Sequence, residues 1–173
     1  MRKRLEEIPR GEVVFIDSNI LIYHFCGLSR ECRRFLWRCA SGELCGVTST
    51  VILLEICHRL MCIEASQRVG ARGDMVRFLR RNPQVVKGLE VYRGNIRRAI
   101  SDMGLEVVGV WEGDVLRALE VQERYGLLTN DSLNVALMER EGIRSIATGD
   151  PDFEVVEGIK VWMPGDIRGT SSP

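Results

Sequence analysis

Four carboxylates at the borders of apolar segments constrain this chain more than any other feature. Asp17 and Asp150 each follow a short apolar run of strand length. Glu55 has aliphatic neighbours on both sides, and Asp131 precedes a mostly apolar stretch. Carboxylates are rarely buried unless they are paired or bind metal. Four of them around one core therefore predict a divalent-cation site, and with it a hydrolase or a phosphoryl-transfer enzyme.

Each carboxylate also has a purely structural alternative. Asp17 could cap the next helix, and Asp131 could be a favourable first-turn charge. Asp150 lies in a turn-like Gly-Asp-Pro-Asp sequence, and Glu55 could lie at the surface edge of its helix. Two like charges about 4 Å apart repel by roughly 4 kcal/mol at an effective dielectric of 20. A cluster must therefore be partly protonated, paired with arginine or bridged by cations. Ligands that are all oxygen favour Mg²⁺ or Mn²⁺, as one ion or two, over zinc.

Apolar runs of strand length alternate along the chain with amphipathic helical stretches. The strands are predicted at 12–16, 45–48, 105–110, 145–148 and 160–162. The helices are predicted at 19–25, 29–40, 50–62, 74–81, 84–102, 112–124 and 129–140. This alternation predicts an α/β fold with a mostly parallel central sheet. In such sheets ligands bind beyond the carboxyl ends of the strands, which is where Asp17 and Asp150 fall.

Large apolar side chains outside the strands give two further expectations. In the helix predicted at 112–124, we expect Val115, Leu116 and Leu119 to face the core. Three tryptophans are expected in the core or in an interface: Trp37, Trp111 and Trp162.

The formal net charge of zero hides an uneven distribution along the 173 residues. Residues 66–98 hold nine Lys or Arg against two Asp or Glu, whereas residues 99–173 hold six against fourteen. Such a division indicates a surface for a polyanion beside an acidic region, with a solvated helical face as the alternative.

Other classes of protein are disfavoured by composition. No segment approaches the roughly 20 consecutive apolar residues of a membrane span, and no signal-type stretch follows the basic start. We therefore expect a cytoplasmic protein. The six cysteines and two histidines lack the spacing of a zinc site.

Three sequence blocks share their order and spacing with one nuclease family. The first reads Val-Phe-Ile-Asp-Ser-Asn-Ile-Leu-Ile-Tyr over 14–23, and the second reads Ser-Thr-Val-Ile-Leu-Leu-Glu-Ile over 49–56. The third joins Asn-Asp-Ser-Leu-Asn-Val-Ala over 130–136 to Ile-Ala-Thr-Gly-Asp-Pro-Asp-Phe over 146–153. Together they resemble the PIN-domain nucleases across most of the chain. The resemblance implies a three-layer α/β/α sandwich and a metal-dependent RNA endonuclease.

The resemblance also implies roles for individual residues. The metal-coordinating carboxylates would be Asp17, Glu55, Asp131 and Asp150. Asn19 and Thr148 would support the site through hydrogen bonds, and Asp152 would be an auxiliary acid. Groups of this supporting kind commonly tune ligand geometry.

Partners and domain limits follow from the same resemblance. Small members of the family are often toxins of toxin–antitoxin pairs, which implies a homodimer and an antitoxin protein as a partner.

We expect one domain over 1–168, with a basic helical insertion at about 66–103 and a frayed tail at 169–173. As a hypothesis, seven arginines of that insertion bind RNA phosphates. These are Arg72, Arg77, Arg80, Arg81, Arg93, Arg97 and Arg98.

Two alternative functions stay open at this point. A catalytically silent PIN-like module would bind RNA or a protein partner without cutting, although such modules usually lack some of the acidic residues that this chain keeps. A haloacid-dehalogenase-like phosphatase also uses an Asp after its first strand. That chemistry needs a second Asp two residues later, where this chain has Asn19.

Overall fold

The computed structural model describes residues 3–70 and 73–167, so Arg72 and the tail 169–173 lie outside the described residues. The strands are β1 (Lys3–Arg4), β2 (Val13–Ile16), β3 (Cys45–Ser49), β4 (Leu105–Val108), β5 (Ser145–Ala147) and β6 (Lys160–Met163). The α-helices are α1 (Ser18–Phe25), α2 (Arg30–Ala40), α3 (Thr50–Val69), α4 (Met75–Arg81), α5 (Pro83–Gly88), α6 (Val91–Ser101), α7 (Glu112–Tyr125) and α8 (Thr129–Arg140). Among these described residues no helix is long and apolar enough to cross a membrane.

The six strands form one sheet in the order β1-β6-β5-β2-β3-β4, and every neighbouring pair is parallel. Helices pack on both faces of this sheet, which confirms the predicted three-layer α/β/α sandwich. β2 lies near the centre because it pairs with β5 on one side and β3 on the other. The carboxyl ends of these three strands therefore meet at one edge of the sheet, the edge where α/β folds bind their ligands.

Two of the predicted elements, β2 and α8, lie in the core. Val14, Phe15 and Ile16 of β2 have no exposed surface, as expected for a strand covered on both faces. In α8, every residue over 132–138 is buried, including the polar Ser132 and Asn134. Replacing Phe15 by Ala would cost about 3–5 kcal/mol, because such a site is too tightly packed to close the cavity.

Helix α3 runs further than the predicted end at residue 62. Ser49 caps its start by accepting a hydrogen bond from the Ile52 amide at 3.2 Å. Gly70 ends it in the left-handed conformation at φ 64°. The first half of α3 packs on the main core. The second half forms a small second core with α4, α5 and α6, built from Leu60, Ala65, Leu79, Leu89 and Tyr92.

The basic segment contains three helices where two were predicted. A single helix over 84–102 was expected, but the chain breaks at Leu89 and Glu90 into α5 and α6. The cause is Glu64 on α3, whose carboxylate accepts hydrogen bonds from the amides of Glu90, Val91 and Tyr92 at 2.8–3.1 Å. Such a carboxylate satisfies the free amides at a helix start.

The predicted inward face of α7 is wrong. Val115, Leu116 and Leu119 are 50%, 59% and 56% exposed, and the buried side consists of Asp114, Ala118 and Val121. Asp114 pairs with Arg140 at the end of α8, and the small Ala118 lets the two helices pack closely. These contacts rotate the larger apolar side chains outward.

The three tryptophans also differ from one another in burial. Trp37 and Trp111 are 66% and 70% exposed, so they are not core residues, whereas Trp162 on β6 is buried.

Candidate active site

Asp17 stands at the carboxyl end of β2 and is held on every side. Its backbone amide donates to the carbonyl of Ala147 at 3.0 Å, which continues the sheet by one residue. Its Oδ1 accepts from the Ser18 amide at 2.7 Å, so it also caps α1. Its Oδ2 accepts from Asn19 Nδ2 at 2.6 Å and from the Thr148 hydroxyl at 2.7 Å. The carboxylate is therefore fixed in one orientation although it is buried.

A hydrogen-bonded loop after β5 joins Asp17 to Asp150. Asn19 Oδ1 accepts from the Gly149 amide at 2.7 Å, and the Thr148 hydroxyl oxygen accepts from the Asp150 amide at 2.9 Å. A Cβ at Gly149 would lie 3.0 Å from the ring of Tyr23, so glycine is needed for this close approach. Asn19 and Thr148 thus link the two carboxylates through the backbone.

Glu55 reaches the same region from the first half of α3. Its Oε1 accepts from the Ser18 hydroxyl at 2.8 Å, and its Oε2 lies 3.5 Å from Nδ2 of Asn130. Arg59 follows one turn later, with Nη1 3.7 Å from Glu55 Oε1.

Asp131 lies in the first turn of α8 and is half-buried. Burial, followed by the charges of Asp17, Asp150 and Glu55, raises the pKa of Asp131 to about 7. Burial raises the pKa of Asp17 to about 6, against the lowering effect of its hydrogen bonds from Thr148 and Ser18. In both cases the neighbouring carboxylates add to the effect of burial, and a cation would oppose that part of the rise in pKa.

The four carboxylates line one cavity of about 480 Å³. They come from four elements widely separated in sequence: the end of β2, α3, α8 and the loop after β5. Asp152 is exposed and is not among the described residues that line this cavity. Its amide donates to Asp150 Oδ1 at 2.9 Å, within a short 3-10 helix over Pro151–Val155.

The donor set suits a hard divalent cation, since all four side chains offer carboxylate oxygens. Within 3–70 and 73–167, however, no three His, Cys, Asp or Glu side chains come close enough together to ligate one ion. The structure thus gathers the carboxylates around a common space without bringing them to ligand distances. Repulsion between like charges favours such an open arrangement.

A sequence model described as "PIN domain" matches residues 14–159. The chain belongs to the PIN-domain family. This membership rules out the phosphatase alternative. The match begins in β2 and ends just before β6, so it contains all four carboxylates of the cavity.

Relatives of this PIN domain carry the name VapC. "Ribonuclease VapC2" of Methanocaldococcus jannaschii is 26% identical over 151 residues, which cover 86% of this chain and 91% of the relative. "Ribonuclease VapC13" of Mycobacterium tuberculosis is 27% identical over 153 residues, covering 86% and 98%.

Two experimental structures share the fold. VapC20 of Mycobacterium tuberculosis, described as a "Sarcin-Ricin loop cleaving toxin", has a TM-score of 0.56 at 19% identity, covering 86% of this chain and 98% of that one. VapBC2 from Rickettsia felis, bound to a DNA fragment from its promoter, has a TM-score of 0.58 at 14% identity, covering 88% and 98%. At these identities the likeness concerns the PIN fold alone.

The arginines predicted to bind RNA lie away from the cavity of this PIN domain and fall into two groups. Four are exposed on α4 and α6: Arg77, Arg80, Arg81 and Arg97. Arg93, by contrast, donates to the carbonyls of Val86 and Lys87 at 2.9 and 3.3 Å, and Arg98 donates to Asn95 Oδ1 at 2.5 Å. Arg93 thus connects α6 to the end of α5, whereas Arg98 is also exposed and bonds within its own helix, α6.

Sequence reasoning missed several residues that line the cavity of the PIN domain, among them Ser18, Tyr23, Arg59, Leu128 and Asn130. The spacing of four between Glu55 and Arg59 was a usable signal, since residues four apart on a helix share a face. No comparable signal marks Leu128, which only the turn between α7 and α8 brings to the cavity.

Proposed function

We propose that this PIN-domain protein is an endoribonuclease that hydrolyses RNA phosphodiester bonds with the help of a divalent cation. The observation that carries the proposal is the convergence of four carboxylates from four separate elements on one cavity at the carboxyl edge of the sheet. Relatives named ribonucleases, matched over at least 91% of their own length, support the same activity.

In this proposal the cation is Mg²⁺ or Mn²⁺, as one ion or two, and four carboxylates hold it: Asp17, Glu55, Asp131 and Asp150. When bound, such a cation supplies a nucleophilic hydroxide at neutral pH and offsets the charge of the phosphodiester. The donor oxygens fit this group chemically, and the raised pKa of Asp131 reflects a site short of positive charge.

The contribution of the chain is to orient these oxygens before the substrate arrives. Thr148 and Asn19 fix Asp17 through Oδ2, and Ser18 fixes Glu55 through Oε1. Pre-set dipoles and charges of this kind need no rearrangement during the reaction. Asp152, exposed beside Asp150, would act as an auxiliary acid at the rim.

RNA would also contact the exposed arginines of the basic segment, namely Arg77, Arg80, Arg81 and Arg97. Support comes from their exposure and from the absence of a described ion pair for any of them. Arg93 and Arg98 would contribute less, since their guanidinium groups already bind protein oxygens. Arg72 belongs to the same proposal by sequence alone.

We further propose that the protein acts in the cytoplasm as the toxin of a toxin–antitoxin pair. It would form a homodimer and be silenced by an antitoxin that inserts into the active site. Structural neighbours described as a toxin–antitoxin complex from Klebsiella pneumoniae and as VapBC2 from Rickettsia felis support this assignment. The domain would extend over 1–168, with the basic insertion at about 66–103.

Endonuclease assays on a pool of single-stranded and transfer RNA test the activity. Wild type, Asp17→Asn and a control, Asp102→Asn, which changes an exposed acid outside the cavity, are compared with Mg²⁺, with Mn²⁺ and with EDTA. We expect cleavage by wild type and the control alone, abolished by EDTA. Equal cutting by Asp17→Asn would contradict the assignment. RNA binding without cutting under either metal would favour the catalytically silent module instead.

A further inference from the structure

Arg59 is the one basic residue among the described residues that line the acidic cavity. It follows Glu55 by one helical turn, so the two side chains leave α3 on the same face. Its charge opposes the rise in the pKa of Tyr23 and of the Cys26 thiol. The guanidinium therefore lies in the cavity wall between the carboxylates and the end of α1.

Arg59 is not what holds Glu55 in place. Oε1 of Glu55 accepts a hydrogen bond from the Ser18 hydroxyl at 2.8 Å, whereas Arg59 Nη1 is 3.7 Å from the same oxygen. A separation of 3.7 Å is too long for a hydrogen bond. Both side chains are 27% exposed, and ion pairs in such a setting are weak. The Ser18 hydroxyl thus orients Glu55, and the ion pair with Arg59 adds little to that orientation.

The charge of the substrate gives this guanidinium a role in the proposed reaction. An RNA phosphodiester is an anion, and the cavity it must enter is lined by four carboxylates. A guanidinium presents planar paired donors that match phosphate oxygens. Beyond Arg59, α3 continues to the second core, whose outer helices carry the exposed Arg77, Arg80 and Arg81. Arg59 therefore lies on the helix that leads from the acidic cavity to the basic segment.

We propose that Arg59 binds a backbone phosphate of the RNA at the cavity wall and so positions the strand over the carboxylates. This inference rests on the proposed endoribonuclease function and names the group that admits its anionic substrate.

Steady-state cleavage of a defined RNA oligonucleotide tests the inference with Arg59→Met, Arg59→Lys and the control Arg124→Met. Arg124 is an exposed arginine of α7 that pairs with Glu157 away from the cavity. We expect Arg59→Met to raise KM about ten- to hundredfold, as for the loss of a charged hydrogen bond, with a far smaller change in kcat. Arg59→Lys should fall between wild type and Arg59→Met, and Arg124→Met should match wild type.

A substrate series separates phosphate binding from an indirect role. Single phosphates of the oligonucleotide are replaced by neutral methylphosphonates, with 2′-O-methyl groups at those positions. One replacement should weaken binding to wild type but not further weaken binding to Arg59→Met, because methionine makes no hydrogen bond to that phosphate. A fall in kcat at unchanged KM, with the same methylphosphonate profile for both proteins, would overturn the proposal. Arg59 would then act indirectly, through its ion pair with Glu55.

The same experiment distinguishes this inference from the activity on which it rests. RNA binding is measured for Asp17→Asn and for Asp17→Asn with Arg59→Met, so that no cleavage is required. If wild type cuts nothing, the endoribonuclease proposal fails, yet weaker RNA binding by the double variant still supports the phosphate contact. If both bind RNA equally, the Arg59 proposal fails. Should Arg59→Met lose its folded circular dichroism spectrum, Arg59→Lys and the methylphosphonate series give the answer.

Discussion

The acidic cavity and the basic segment are both concentrations of like charge, but the chain organises them differently. In the cavity, Asp17 receives three hydrogen bonds and Glu55 is fixed by Ser18. In the basic segment, Arg77, Arg80 and Arg81 are exposed and make no described ion pair. Rigid charges suit a site that must hold a small cation, whereas solvated charges suit a surface that follows a flexible polyanion.

The two regions also differ in how far their charged groups are removed from water. Burial and mutual repulsion raise the pKa of Asp17 and Asp131, so the ionised form of both carboxyl groups is disfavoured in the cavity. The exposed arginines keep their hydration, and Arg93, which is used internally, donates to backbone carbonyls. Substitutions in the cavity should therefore change activity through geometry, while substitutions in the basic segment should change affinity in a way that depends on salt.

The largest effect short of removing a proposed ligand is expected from Thr148→Val. The change keeps the shape of the side chain but removes the hydroxyl that donates to Asp17 and accepts from the Asp150 amide. We expect RNA cleavage to fall by about ten- to a hundredfold, as for other groups that orient metal ligands. Thr129→Val on the cavity rim is the matched control, and a similar loss in both variants would show that the hydroxyl of Thr148 has no special role.

A second test concerns the salt dependence of RNA binding. The double change Arg80→Gln and Arg81→Gln removes two exposed charges without touching the cavity. On single-stranded RNA, the slope of log affinity against log salt should become shallower by roughly 1.4, since each phosphate that is no longer neutralised reduces it by about 0.7. Arg117→Gln on α7 is the control. An unchanged slope for the double variant would remove the basic segment from the RNA-binding surface.

The sequence predicted the elements whose patterns are local. These local patterns are the β-branched run of β2, the mostly apolar stretch of α8 and the placement of Asp17 and Asp150 after strands. These features depend on short-range periodicity and on the rule that strand ends gather ligands.

The failures share a non-local cause. The break between α5 and α6 depends on Glu64, which lies 26 residues before Glu90. The rotation of α7 depends on its packing with Arg140, 26 residues after Asp114. Propensity and periodicity along the chain contain neither contact, so tertiary structure overrode both. Arg59 is a different case, because a single arginine one helical turn after Glu55 is common on helix surfaces, and only the tertiary structure places it in the cavity lining.

A smaller effect is expected from the arginine that the basic segment uses internally. Arg93→Met removes the hydrogen bonds to the carbonyls of Val86 and Lys87 and exposes the end of α5. We expect the free energy of unfolding to fall by about 1–2 kcal/mol, with little change in the salt slope of RNA binding. Chemical denaturation measures it, with Arg97→Met as the exposed control. If Arg97→Met were the more destabilising variant, the division of the segment into internal and RNA-facing arginines would be incorrect.

The smallest effect expected is a change in stability with pH in the absence of divalent cations. Because the pKa of Asp131 is raised from 3.8 to about 7, the folded protein binds this proton more tightly than the unfolded chain. The stability from this group is therefore greatest at low pH and is lost as pH rises from about 4 to 7. Asp131 is partly exposed, so after solvent screening we expect a contribution of about 1 kcal/mol or less. Thermal melts at pH 5 and pH 8 in EDTA should show the loss in wild type, and Asp131→Asn should reduce it.

Mg²⁺ added at pH 8 should raise the melting temperature of wild type more than that of Asp131→Asn, because a cation binds the ionised carboxylate. An equal response of both proteins would separate Asp131 from the cation site and would leave Asp17, Glu55 and Asp150 as the proposed ligands.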